Sequence, residues 1–307
     1  MLNFLPGMLK GGLSFILYLL NTVILCTVLC FVALIKFIVR IPLVIRACDR
    51  GLITISTLWI TFNSLNSALF NRIQWDVRGV ENLDPKGWYL VVSNHQSWVD
   101  ILVLQTVFNK KIPFLKFFLK KELIWVPFLG LAWWALDFPF MQRYSRKFLE
   151  KYPHLKGKDL ESTRRACEKF RTTPVSVMNF VEGTRFSENK HQAQGSGFKQ
   201  LLKPRAGGVA FVLGAMGHCL HKVVNVTIVY PDGVDNFWGF ISGRVRHIIL
   251  DVEVLPVTEE ITGDYFNNTR FKQHFCAWLN DLWEDKDRKI EEILDGNRSG
   301  RSTVSGR

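Results

Sequence analysis

Two short stretches hold the residues best suited to chemistry, Asn94-His95-Gln96-Ser97-Trp98-Val99-Asp100 and Glu182-Gly183-Thr184-Arg185. Histidine is the side chain best matched to moving a proton near neutral pH. The carboxylate of Asp100, five residues on, can fold back onto Nδ1 of His95 and leave Nε2 free as a base. That is the His–Asp half of a triad without a nucleophile of its own, and it suits deprotonation of a substrate hydroxyl. The same residues also fit a helix start. Ser97 as N-cap, with Asp100 reaching back to the first turn, is a capping box, and capping would fix the turn from which His95 projects. In the second stretch, Gly183 lets backbone N–H groups face a ligand closely and Arg185 offers a two-pronged fork for phosphate. Arg143 is a further candidate cation.

These side chains need elements to aim them. Trp88-Tyr89-Leu90-Val91-Val92-Ser93 is an apolar run bounded by Pro85, Gly87 and Asn94, which reads as a buried strand, and residues 101–108 read as a helix. His95 then lies on a strand-to-helix turn at the strand's C-terminal end, where open α/β sheets place their ligands. Residues 175–181 form a second buried strand ending at Glu182, and residues 138–141 a third ending near Arg143. Three strand ends would carry a base, an anion clamp and a second cation. Further strands are predicted over 73–79, 223–230 and 244–254, and helices over 160–171, 206–217 and 269–294. Residues 186–200, with Gly195-Ser196-Gly197, read as a mobile loop, and no Gly-x-Ser-x-Gly elbow follows a strand. Alternating strands and helices specify an α/β sheet with helices on both faces.

The remaining composition points to a membrane. Formal charge is +12 while 48% of residues are hydrophobic, with 10 Trp and 24 Phe. Basic and apolar together favour an anionic bilayer surface over nucleic acid. Residues 11–35 carry no charge and would extend about 37 Å as a helix, enough to cross a bilayer. Lys36, Arg40, Arg46 and Arg50 follow this run and only Lys10 precedes it, which puts the rest of the chain on the cytoplasmic side. Residues 51–70 place Leu52, Ile55, Trp59, Phe62, Leu65 and Leu69 at helical spacing among Thr, Ser and Asn, and read as an amphipathic interfacial helix.

The domain reading is thus a membrane segment over 1–70, a folded domain over 71–295 and a disordered Gly/Ser/Arg tail over 296–307. Lysines 110, 111, 116, 120 and 121 interleave with Phe in residues 109–123, a surface suited to anionic headgroups. The Trp-rich residues 122–136 read either as core or as the wall of an acyl-chain tunnel. Six Cys at 26, 30, 48, 167, 219 and 276 lack paired spacing and read as thiols of a reducing compartment. His218 and His221 read as helix-end partners rather than metal ligands.

The order Asn-His-x4-Asp, then Phe-x-x-Arg at Phe140 and Arg143, then Glu-Gly-Thr-Arg resembles the PlsC-like glycerolipid acyltransferases. These include 1-acylglycerol-3-phosphate and lysophospholipid acyltransferases. The nearest likeness is to a bacterial inner-membrane branch, YihG-like, which is similar to eukaryotic lysocardiolipin-type enzymes. Lys121-Glu122-Leu123 with Pro127 and Gly130 extends the resemblance. The family's Val-Pro-Ile-type strand falls at Asn225–Pro231, where Thr227 stands near the place of the proline.

The resemblance implies a central mixed sheet flanked by helices, and transfer of an acyl group from acyl-CoA or acyl carrier protein to a lysophospholipid. Phosphatidic acid made from lysophosphatidic acid is the leading expectation, with remodelling of another lysophospholipid as the alternative. No cofactor or metal is implied, and neither is nucleic acid. His95 would be the base and Asp100 its orienting partner. Phe140, Arg143, Glu182, Gly183, Thr184 and Arg185 would bind the acceptor phosphate. The site would face the cytoplasm from a bacterial inner membrane. A membrane-bound lipid-binding protein would share the basic and apolar faces but gives no reason for a base and phosphate clamps at the strand ends.

Overall fold

Strict alternation in Trp88–Ser93 builds the centre of the molecule. Leu90 and Val92 enter one apolar layer, Tyr89 and Val91 the other, so the strand is buried on both faces. The computed structural model describes residues 2, 4–117, 119–126, 129–138, 140–141, 170 and 173–304. Its helices are α1 (Gly7–Ile38), α2 (Pro42–Phe70), α3 (Val99–Phe108), α4 (Leu129–Ala135), α5 (Glu188–Gln194), α6 (Ala206–Met216), α7 (Phe237–Ile241) and α8 (Thr269–Val304). Its strands are β1 (Gln74–Arg78), β2 (Trp88–Ser93), β3 (Leu115–Phe117), β4 (Leu119–Lys120), β5 (Phe140–Met141), β6 (Val175–Phe180), β7 (Lys222–Val229) and β8 (His247–Pro256).

Six strands form one sheet in the order β1-β8-β7-β2-β6-β3. Only the β7–β8 pairing is antiparallel, so the sheet is mixed, as the resemblance implied. Ser93 is registered with Phe180 of β6 on one side and Val226 of β7 on the other. The C-terminal ends of β2, β6 and β7 therefore meet at one edge. Helices α6 and α8 cover one face, with Val209, Val212, Phe275 and Trp283 at most 0% exposed. Helix α3 covers the other face through Val99, Val103 and Val107.

Helices α1 and α2 form an antiparallel hairpin with a polar seam. Asn21 Nδ2 donates to Trp59 O at 3.0 Å and to Asn63 Oδ1 at 2.8 Å, and Asn66 Nδ2 donates to Ser14 O at 3.0 Å. The second helix starts at Pro42 rather than at 51, because proline is preorganised for a first helical turn and Arg46, Asp49 and Arg50 are tolerated at the hairpin's bend. By length and composition α1 is the one helix among the described residues able to cross a bilayer. It also touches the domain at both ends. Tyr18 packs edge-on against Phe237, and a Cβ on Gly11 would lie 3.0 Å from the Trp238 ring. Farther along, Cys26, Leu29 and Ala33 pack with Ala132, Ala135, Leu136 and Phe138, and Lys36 pairs with Asp49 at 2.6 Å and Asp137 at 3.7 Å.

Several expectations change. The Trp-rich stretch puts its alanines into the hairpin interface and leaves Trp125 85% exposed, which fits packing and surface roles more than a tunnel wall. Lys116 is buried, with Nζ 4.5 Å over the Phe170 ring, so it does not present itself to headgroups. The short β5 pairs with β4 in a separate two-stranded sheet, because the chain before it is held in the hairpin cluster through Phe138. Phe140 therefore does not end a strand of the central sheet, and Arg143 and most of the helix expected over 160–171 lie outside the described residues. The loop expected over 186–200 contains α5. The last helix runs through Gly296 and Gly300 to Val304, into the tail expected to be disordered; each helical glycine costs only about 1 kcal/mol once many turns are nucleated.

Candidate active site

The turn after β2 carries His95, whose side chain is 12% exposed. Its Nδ1 lies 2.8 Å from Asp100 Oδ2. An ionised carboxylate can only accept, so this contact puts the proton on Nδ1 and leaves a lone pair on Nε2. No described residue hydrogen-bonds to that Nε2, and the imidazole stacks on Phe180 with centroids 3.8 Å apart.

Asp100 is fully buried. Besides the imidazole, its Oδ2 accepts from Gln96 N at 2.6 Å and Ser97 N at 2.9 Å, while Oδ1 accepts from the Tyr230 hydroxyl at 2.6 Å. The acid thus reaches back to the turn amides as a capping box would. Ser97 Oγ differs from that pattern: it accepts from Val99 N and donates to Asp235 O at 2.6 Å. Asn94 locks the strand end to β7, donating to Ile228 O and accepting from Ile228 N, both at 2.9 Å.

The Glu182–Phe186 turn grips His95 by its backbone. Glu182 Oε1 accepts from His95 N at 3.1 Å, and Phe186 N donates to His95 O at 2.7 Å. Glu182 is 1% exposed, so it faces the histidine's main chain and not solvent. Burial pushes its carboxyl up to about 8, against the lowering pull of the His95 and Leu202 amides and Lys286. Lys286 of α8 is likewise buried, donating to Val226 O at 2.6 Å, and burial brings it down to about 7.

On the outer side of that turn Gly183 has φ +67°, a conformation that favours glycine, and an added Cβ would meet Arg205 Cδ at 3.0 Å. Arg185 lies over the Trp98 ring at 4.8 Å. Lys190 donates to Thr184 Oγ1 and Arg185 O, each at 2.8 Å. Three exposed cations, Arg185, Lys190 and Arg205, therefore surround Gly183 and Thr184. The arrangement sets an imidazole with Nε2 unengaged among the described residues beside a turn that carries exposed cations.

Of the residues singled out from the sequence, the structure brings His95, Asp100 and the Glu182–Arg185 turn together. Sequence reasoning missed Tyr230, Lys190 and Arg205. Lys190 lay inside a stretch read as loop. Tyr230 and Arg205 come from elements whose neighbours are decided by strand order. Ser196, the only serine in the Gly-Ser-Gly run, turns its Oγ onto Leu201 O at 3.0 Å.

Residues 74–231, just over half of the chain, match the model of the Acyltransferase family. The 1-acyl-sn-glycerol-3-phosphate acyltransferase delta of Homo sapiens is 27% identical over 217 residues, covering 66% of this chain and 52% of the relative. The gamma protein of Homo sapiens is 25% identical over 215 residues with the same coverage. The chain thus spans about half the length of these relatives. A crystal structure of the 1-acyl-sn-glycerophosphate (LPA) acyltransferase PlsC from Thermotoga maritima superposes with a TM-score of 0.51 at 18% identity, covering 92% of this chain and 97% of that one. At that identity the likeness speaks for the fold.

Proposed function

The chain belongs to the Acyltransferase family, and from that premise we propose that it is an O-acyltransferase moving a fatty acyl group from a thioester to the free hydroxyl of lysophosphatidic acid, giving phosphatidic acid. One observation carries the reading: a His–Asp dyad with Nε2 unengaged stands against a turn ringed by Arg185, Lys190 and Arg205. The names of the relatives point to the same acceptor.

The chemistry follows from those atoms. Nε2 of His95 takes the acceptor hydroxyl proton as the oxygen attacks the thioester carbonyl. The new C–O bond gives a tetrahedral oxyanion, which collapses with C–S cleavage. The departing thiolate takes the proton back from His95, and the base is restored. General base catalysis of this kind is worth roughly 10²–10⁴-fold. Asp100 holds the imidazole in the correct tautomer, and the cations hold the acceptor phosphate so that its hydroxyl meets the base. Acyl-CoA or acyl carrier protein would supply the thioester. Another lysophospholipid, such as a lysocardiolipin-like acceptor, would present the same phosphate and hydroxyl and is the second reading.

The hairpin supports a membrane-bound enzyme. Leu20, Ile24, Phe31 and Leu34 of α1 and Phe62 and Leu65 of α2 are exposed. Because α1 contacts the domain at both Tyr18 and Lys36, the hairpin would lie in one leaflet beside the domain rather than cross the bilayer. Lys36, Arg40, Arg46 and Arg50 at its bend suit the anionic, cytoplasmic face of a bacterial inner membrane.

The test is thioester release by purified protein in detergent micelles, with lysophosphatidic acid compared against other lysophospholipids. His95→Ala should abolish turnover while folding and membrane association persist. Turnover retained by that variant would remove the mechanism.

A further inference from the structure

Asp100 accepts four hydrogen bonds, and three of their donors come from its own turn: His95 Nδ1, Gln96 N and Ser97 N, all on Oδ2. The fourth crosses 130 residues of sequence. Tyr230, which follows the last residue of β7, donates its hydroxyl to Oδ1 at 2.6 Å from a side chain that is 5% exposed. Among the described residues it is the donor that ties the dyad's carboxylate to the central sheet.

We propose that Tyr230 is a positioning residue for the acyl transfer, its hydroxyl pinning Oδ1 so that Oδ2 is presented to His95 Nδ1 and drawing charge away from that oxygen. The inference rests on the acyltransferase reading above. A carboxylate held only through Oδ2 can turn about its Cβ–Cγ bond, and each turn lengthens the contact to the imidazole. A fourth donor also spreads the negative charge, which keeps the carboxylate a weak base and the proton on Nδ1. Burial, and then Asp100 itself, hold the phenol well above its ordinary range, so Tyr230 remains a donor throughout the working pH. Among the described residues, the charged groups around the dyad include Glu182 behind the His95 amide and Lys286 beyond it, with Arg185 over the neighbouring Trp98 ring.

Tyr230→Phe removes one oxygen and little else. With the carboxylate more basic and less fixed, kcat should fall on the order of ten-fold while the acceptor KM holds, and the acid limb of the pH–rate profile should move to higher pH. Replacing the residue with 3-fluorotyrosine keeps the shape and strengthens the donor. It should move the acid limb the opposite way, and it serves as the test if the phenylalanine variant does not fold. Melting temperatures of both proteins are measured alongside. A merely structural hydroxyl would lower the melting temperature of Tyr230→Phe and leave both limbs where they are, and that result, or wild-type kinetics, overturns the proposal. A wild-type protein that releases no thiol from any thioester donor would instead fail the acyltransferase reading, and the proposal with it.

Discussion

Glu182 and His95 are joined through the main chain of the histidine, the carboxylate accepting its N–H at 3.1 Å across 87 residues of sequence. Four residues later Phe186 N closes on the His95 carbonyl at 2.7 Å. The Glu182–Phe186 turn and the His95 main chain are therefore tied at two points, which sets the distance from Thr184 and Arg185 to Nε2. Glu182 gives its oxygens to the amides of His95 and Leu202, where the sequence resemblance had it on phosphate.

Replacing Glu182 with Gln keeps an acceptor for His95 N and removes a titration. The folded carboxyl lies near 8, above its ordinary 4.5. Its contribution to stability is thus fully present below about pH 4.5 and is lost as pH rises towards 8. The melting temperature of Glu182→Gln relative to wild type should climb between pH 5 and 8, as followed by circular dichroism. A difference that stays flat over this range would mean the buried acid does not titrate there.

Asp100→Asn should turn the amide NH₂ towards Nδ1 and trap the wrong imidazole tautomer, lowering kcat on the order of 10³-fold with the fold intact. Turnover is measured with saturating acceptor so that binding does not enter. Loss confined to KM would contradict the role assigned to the dyad.

Arg185→Ala and Arg205→Ala should each raise the acceptor KM about ten-fold, with smaller effects on kcat. Because these cations are exposed, wild-type KM should also rise with ionic strength, and less steeply in either variant. If both variants lose kcat and keep KM, the phosphate is held elsewhere.

A carboxylate on the bare side of the hairpin should weaken membrane attachment without touching the chemistry. Leu20→Glu combined with Ile24→Glu changes residues that are 49% and 57% exposed. Flotation with anionic vesicles should show the doubly substituted protein left behind, while its activity on micellar substrate persists. Unchanged flotation would place the membrane contact on another face.

Local physics made much of this protein legible from its sequence. The apolar runs of 88–93 and 175–181 and the His-x4-Asp spacing each concern residues within a few positions of one another, where strand and helix start are set. The hairpin's first helix was equally plain, because 25 uncharged residues, 11–35, leave little else for the chain to do. What tertiary structure alone decided are the contacts between strand ends. Strand order brings Tyr230 to Asp100, β6 to His95, and Lys286 from the last helix beneath Val226. Such contacts carry no periodic signal, since each is a single hydrogen bond between chain segments that meet only after the sheet is assembled. The same holds for the hairpin's resting place along the domain and for the short β4–β5 pair. There, burial of Ala132, Ala135 and Phe138 against α1 outweighed the neighbours that sequence order suggests.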